Sequence, residues 1–309
     1  MKLSKVILLW LLLLLTPLAF GDTAQPIQQL LQTAPQNNLA QRIHYFSAAL
    51  LNRPYVNEPL GEGLNGEFNQ EPLYRLERFD CQTFVETVMA LSLAHNLAEF
   101  KALLTKIRYA NGEITFAKRN HFPSADWLPN NSKNGFIQDI TEQVAGQQNI
   151  ATASAYINRQ QWYRYLTQNR IKIPGLTPAE VYNKLKQLQA QGQFAVNTWA
   201  SIRYIPLNKL LIKGKPDQAL LNQIPDGAIV LIVKHLPLAN MIGTDMNVSH
   251  MGFAIWQHHT LYFRAASAEM MRTTDIKLTD YLRKEKGIKG ISLYQIKSLR
   301  SFHTTIFAP

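Results

Sequence analysis

The chain carries one cysteine, Cys81, within "RLERFDCQTFVETVMALSLA", residues 75–94. A lone thiol cannot close an internal disulfide, so it is buried and inert, bonded to another chain, or reactive. Its setting favours reactivity. Asp80 is a good helix N-cap, and apolar Phe84, Val85, Val88, Leu91 and Leu93 predict a helix that starts at Cys81. The first turn of a helix offers unpaired N–H groups and the positive end of the helix dipole, which stabilise a thiolate. The same groups can hold an oxyanion as it develops at an attacked carbonyl. A thiol nucleophile also needs an imidazole to take its proton and return it to the leaving group. Eight histidines are available. His258 and His259 fall in a predicted hairpin turn, His44 and His95 on predicted helices, and His303 near the C-terminal end. His250, in "NVSHMGFAI", opens a predicted strand after the loop "LANMIGTDMN", where its ring can point along the edge of a cleft. Pattern alone leaves His250 as much a core or capping residue as a base.

Elements must hold these two residues face to face. Ahead of Cys81, "NNLAQRIHYFSAALLN" has helical spacing, and the turn-rich stretch from Arg53 to Asp80 is long enough to be a functional loop. Beyond it, "AEFKALLTKIRY" predicts a second helix, and "GEITFAKRNHFPSADWLPNN" a strand followed by an aromatic and polar loop. "QQWYRYLTQN" and "TPAEVYNKLKQLQAQG" predict helices, the second with Thr177 as N-cap, Pro178 in first position and Gly192 near its end. The region around 150–192 reads as a helical insertion. In the last third, "QFAVNTWASIRYIPL", "GAIVLIVKH", "SHMGFAIW", "LYFRAAS" and "GISLYQI" predict strands, with "QHHT" as a hairpin turn and "LTDYLRKEK" as a closing helix. Helices first and antiparallel strands later indicate an α+β fold with a helix packed on a sheet.

The opening "MKLSKVILLWLLLLLTPLAFG" joins two lysines, an apolar run and small residues at Ala19 and Gly21. That is the anatomy of a secretory signal peptide over residues 1–21, its apolar run short for a bilayer span. The expectation is an exported protein, periplasmic or secreted, with one domain over 22–309 and no stable membrane insertion. Hydrophobic residues at 46% and aromatics at 10% supply a substantial core and argue against disorder. The net charge of +11 is scattered, without a block of like charges. Together with export, this disfavours nucleic acid and reads as affinity for an anionic surface or polymer. No His-x-x-x-His, cysteine cluster or Glu-flanked histidine pair offers metal ligands, so no metal or other cofactor is expected.

"FDCQTFVE" followed much later by "SHMGFAI" resembles the papain-like cell-wall hydrolases of the NlpC superfamily. More narrowly, "PLGEG", "PLYRLERFDCQTFVE", "IRYANGEITFAKRNHFPSADWLPNN", "SHMGFAIW" and "LYFRAAS", in that order, resemble the N-acetylmuramoyl-L-alanine amidase-like family, long catalogued as a domain of unknown function. The likeness covers most of residues 40 to 297; its first three blocks are specific, and His-x-Gly alone is weak. It implies a papain-like core and a cysteine hydrolase of peptidoglycan or muropeptides that cuts the amide between N-acetylmuramic acid and L-alanine. Cys81 would be the nucleophile and His250 the base. The family's third residue, often a histidine that orients the base, falls at Ala265, so Arg264, Ser267, Gln257 or a backbone carbonyl would have to take that role. The resemblance also places the "RNHFPSADW" loop along the cleft, with His121, Asp126 and Trp127 toward a sugar-peptide ligand. Tyr55, Gly61, Glu62 and Gly63 would form another wall, and Arg119 could pair with substrate carboxylates. A peptidase cutting within the stem peptide, and a non-catalytic cell-wall binding module, remain alternatives.

Overall fold

A computed structural model of the chain describes residues 24–36, 38–59 and 61–298; the expected signal peptide and His303 lie outside them. Four helices come first: α1 (Ala24–Thr33), α2 (Leu39–Ala49), α3 (Cys81–Leu93) and α4 (Leu97–Arg108). Asn38, Asp80 and Asn96 cap α2, α3 and α4, each side chain accepting a backbone N–H three residues on. From Thr83 to Leu93 every residue of α3 is buried, as befits a helix that is apolar on nearly all sides. It packs between α2 and α4 and against the sheet.

Among the described residues the sheet has eight strands: β1 (Ile137–Asp139), β2 (Ala151–Ile157), β3 (Thr198–Pro206), β4 (Ile229–Leu236), β5 (Met246–Gln257), β6 (Thr260–Ser267), β7 (Arg272–Lys277) and β8 (Ile288–Ile296). Their order is β2-β3-β8-β4-β5-β6-β7, with β1 also on β8, and all of these pairings are antiparallel. Side chains alternate between the two faces. On β4, Ile229, Leu231 and Val233 join the core around α3, while Val230 and Ile232 face a second core beneath helix Leu278–Lys284. Burial on both sides explains the uninterrupted apolar run of this strand. The β5–β6 turn is His258–His259, both with positive φ (46° and 61°), the backbone a two-residue hairpin turn demands.

Several expectations need correction. "GEIT" forms no strand. Asn111 and Gly112 both have positive φ, Thr115 caps a short turn at Phe116–Lys118, and Pro123–Trp127 closes a single wide π-turn. The region 150–192 is not purely helical: helices Arg159–Tyr165 and Pro178–Gln191 form as expected, but β2 precedes them and pairs along its whole length with β3. His95 lies between α3 and α4 rather than on a helix. None of the described helices is long and apolar enough to cross a membrane.

Candidate active site

Cys81 is the first residue of α3. Asp80 Oδ1 accepts the Thr83 N–H at 2.8 Å, and Thr83 Oγ1 accepts the Asp80 N–H at 3.0 Å, a reciprocal cap that fixes where the helix begins. The other Asp80 oxygen accepts the Glu58 N–H at 3.2 Å and ties the preceding loop to the same point. The thiol opens on a cleft of about 270 Å³ whose walls include Tyr55, Asp80, Gln82, Arg119, His121 and His250. Backbone N–H groups of Met251, Gln82 and Cys81 itself favour the thiolate electrostatically. Met251 directly follows His250, so β5 delivers the imidazole to the cleft that holds the thiol.

The strand is irregular there. Ile232 lies opposite His250, but the next pair is Val233 with Val248, which leaves Ser249 as an extra residue in a bulge. Bulges re-aim side chains beside functional sites. The His250 ring stands edge-on to Phe263 at 5.2 Å and lies 5.9 Å from the ring of Tyr281. Two residues on, Gly252 sits where any Cβ would come within 2.5 Å of the Arg264 carbonyl oxygen, so the glycine of His-x-Gly permits the close approach of β6.

Electrostatics set the resting protonation. Burial, and then the neighbouring Asp80, push the Cys81 thiol up to about 12 against the pull of the three N–H groups. Burial draws His250 down to about 4. The cleft therefore rests with a neutral thiol and a neutral imidazole. Burial, followed by the Arg119 charge, also takes His121 well below its ordinary value; its Nε2–H donates to the Phe116 carbonyl at 2.8 Å. Burial works against the charge of Arg119, but Tyr109, Glu86, Asp80 and Glu58 outweigh it and hold the guanidinium above its usual value.

The floor of the cleft is a polar chain running into the core. Gln82 Nε2 donates to the Asn120 carbonyl at 2.7 Å and to Glu86 Oε1 at 2.9 Å; Arg108 Nε meets Glu86 Oε2 at 2.8 Å and Arg108 NH1 the Leu73 carbonyl at 2.7 Å. A buried ion pair held by extra hydrogen bonds locks the first two turns of α3.

Of the residues expected around the pair, Tyr55, Arg119 and His121 line the cleft. Glu62 does not: it is buried and accepts the Phe68 N–H at 3.4 Å. Asp126 accepts the Phe122 N–H at 3.0 Å and forms an ion pair with Arg159. Trp127 is 0% exposed in the α3 core, so it offers no plate to a ligand. The three candidates for orienting His250 are occupied elsewhere. Arg264, 2% exposed, binds Asp275 through two hydrogen bonds of 2.6 and 2.7 Å and reaches Ser47 of α2. Gln257 donates to the same Asp275, and Ser267 Oγ accepts the Met270 N–H in the β6–β7 turn. Sequence reasoning missed Tyr281, Gln82 and Arg170; only the Gln82 position, adjacent to the thiol on a predicted helix, carried a local signal. Among the described residues, no group of three or more His, Cys, Asp or Glu is placed to hold a metal ion.

Fold and site together define an α+β protein with a helix-start thiol and a strand-borne imidazole in one cleft. The family model described as AmiA-like, N-acetylmuramoyl-L-alanine amidase-like, matches residues 45–288, and the chain belongs to that family. A solved structure from Legionella pneumophila, described by the family label DUF1460, is similar with a TM-score of 0.85 and 36% identity, over 88% of this chain and 94% of that one. A structure described as an N-acetylmuramoyl-L-alanine amidase from Bacteroides uniformis is similar with a TM-score of 0.60 and 25% identity, over 85% of this chain and 100% of that one. No curated protein matches the chain.

Proposed function

We propose that the protein is an exported cysteine amidohydrolase that cuts the amide between N-acetylmuramic acid and L-alanine in peptidoglycan or its fragments. Family membership and the amidase-named neighbour support the substrate class. The observation that carries the cysteine mechanism is the placing of Cys81 as the first residue of α3, where the helix N–H groups are unpaired, with His250 in the same cleft.

Because thiol and imidazole rest neutral, proton transfer accompanies attack rather than preceding it. His250 takes the Cys81 proton as Sγ bonds to the lactyl carbonyl carbon. The carbonyl oxygen gains charge beside the N–H groups of Cys81 and Gln82, which need no reorganisation to receive it. Collapse of the tetrahedral species breaks the C–N bond, and His250 returns the proton to the departing alanine nitrogen. Water, deprotonated by His250, then attacks the thioester and releases the muramic acid carboxyl group and the free thiol.

Incubation with defined muropeptides tests this reading. The expected product is a peptide that begins with L-alanine, and Cys81→Ala should abolish its release while leaving ligand binding intact. A shorter stem fragment would reassign the enzyme as a stem-peptide peptidase. Unchanged substrate that still co-elutes would make the protein a binding module.

A further inference from the structure

Two guanidinium groups line the cleft, and they are set differently. Arg119 is held charged by Tyr109, Glu86 and Asp80 and, to a lesser degree, by Glu58. Arg170 reaches the cleft from the end of the short turn Gln168–Arg170, between the two helices of the 150–192 region. It forms an ion pair with Glu58, which belongs to the loop ahead of Cys81 and also lines the cleft. The pair thus sits in the cleft that holds the nucleophile.

The two partners are not equally anchored. The guanidinium of Arg170 lies 6.0 Å above the Trp162 ring, and the backbone just beyond it is pinned where Lys172 exchanges hydrogen bonds with Phe68 and Gln70. Glu58 sits at φ 51°, a left-handed backbone rarely adopted by a residue with a side chain, and its side chain is 41% exposed against 24% for Arg170. A partly exposed ion pair of this kind holds weakly, so another carboxylate can take the place of Glu58.

We propose that Arg170 is the residue that recognises a free carboxylate on the stem peptide, namely the α-carboxylate of its γ-linked glutamyl residue, with Glu58 as the carboxylate that this ligand displaces. This rests on the reaction proposed above. In that substrate the lactyl carboxyl is consumed in the scissile amide, so free carboxylates lie only on the peptide side. A fixed guanidinium in the cleft of the nucleophile therefore suits the leaving peptide rather than the muramic acid. Exchange of one carboxylate for another keeps Arg170 paired in both states, and a planar guanidinium can hold the incoming group through two parallel bonds. A stem whose glutamyl carboxylate is amidated cannot displace Glu58.

The test reads binding without turnover. Full-length protein carrying Cys81→Ala is titrated calorimetrically with N-acetylmuramoyl tripeptides whose glutamyl α-carboxylate is either free or amidated. The free acid should bind about tenfold or more tighter, the scale of a charge-assisted hydrogen bond. Arg170→Gln in the same background should erase that preference by weakening the free acid alone, whereas Glu58→Gln should tighten it by removing the competitor. Equal affinity for the two ligands in the parent protein overturns the inference. So does an Arg170→Gln change that weakens both ligands alike, the mark of a purely structural strap. Failure of the unaltered enzyme to release alanine-initiated peptide would sink the proposed reaction and leave this carboxylate preference separately readable.

Discussion

At the scale of the residue, Asp80 serves two ends that pull apart. Its carboxylate caps α3 and fixes the position of the thiol, yet its charge is the second cause, after burial, of the raised Cys81 pKa. Asparagine offers the same side-chain oxygen to the Thr83 N–H without the charge, and caps helices about as well. Asp80→Asn should therefore leave the helix in place and move the thiol pKa down. The measurement is the rate of iodoacetamide alkylation of Cys81 against pH, which should rise sooner on the alkaline side in the variant. Asp80→Ala, by contrast, should also lose about 1 kcal/mol of stability with the cap. An alkylation profile unchanged by Asp80→Asn would show that the carboxylate does not act on the sulfur through its charge. The start of α3 was legible in the sequence because capping is local: an Asp, then an apolar helix, needs no knowledge of the rest of the chain. Tyr281 and Arg170 were not, since nothing in "LTDYLRKEK" or "LTQNRIKI" tells that the one packs near the imidazole and the other lines the cleft.

At the scale of the element, β5 has to bring His250 to the cleft while pairing with strands on both sides. The extra residue at Ser249 turns the strand, and Gly252 lets β6 come close enough for Phe263 to stand against the imidazole. A methyl group at position 252 would meet the Arg264 carbonyl, the Phe263 ring and the Ala265 Cβ, all at under 3 Å. Gly252→Ala should cost about 1–3 kcal/mol as an overpacked core. Activity should fall further than that loss explains, because the strain falls on the ring that positions His250. Urea unfolding gives the first quantity and kcat at saturating muropeptide the second; a variant destabilised but fully active would separate the glycine from the site. Strands with β-branched runs, such as β4, were readable in advance. β2 was not, because its inward residues Ala153 and Ala155 are small and its partner β3 lies beyond two helices. Trp127 was misplaced for a related reason: the composition of a loop does not tell which side of a π-turn faces the core.

At the scale of the molecule, three parts of the chain converge on the cleft: the start of α3 with the loop ahead of it, the segment from Arg119 to Pro123 with Arg170, and β5 from Met246 to Met251. Asn247 ties the β5 wall to the paired strands β2 and β3. Its amide donates to the carbonyls of Ala153 and Ala200 and its Oδ1 accepts the Ser124 hydroxyl at 2.6 Å, while its neighbours Met246 and Val248 both line the cleft. The same convergence buries imidazoles that would be charged in the unfolded chain at mild acid. His250 is held near 4 and His121 well below its ordinary value, so between about pH 6.5 and about 4 the unfolded chain binds protons that the native protein does not. Stability must then fall as pH falls through that window, and neither group contributes a slope above it. Asp80 and Glu62 act in the opposite sense, because burial raises their pKa values and the native state takes up their protons first. A difference measurement isolates the imidazole. Urea unfolding of the parent and of His250→Gln at pH 7.5, 6 and 5 should show the parent losing, on acidification, on the order of 1–3 kcal/mol more than the variant. Parallel lines for the two proteins would mean that His250 takes up its proton in the folded cleft as readily as in water. The imidazole would then be open to solvent, and burial would not be what lowers its basicity in the cleft.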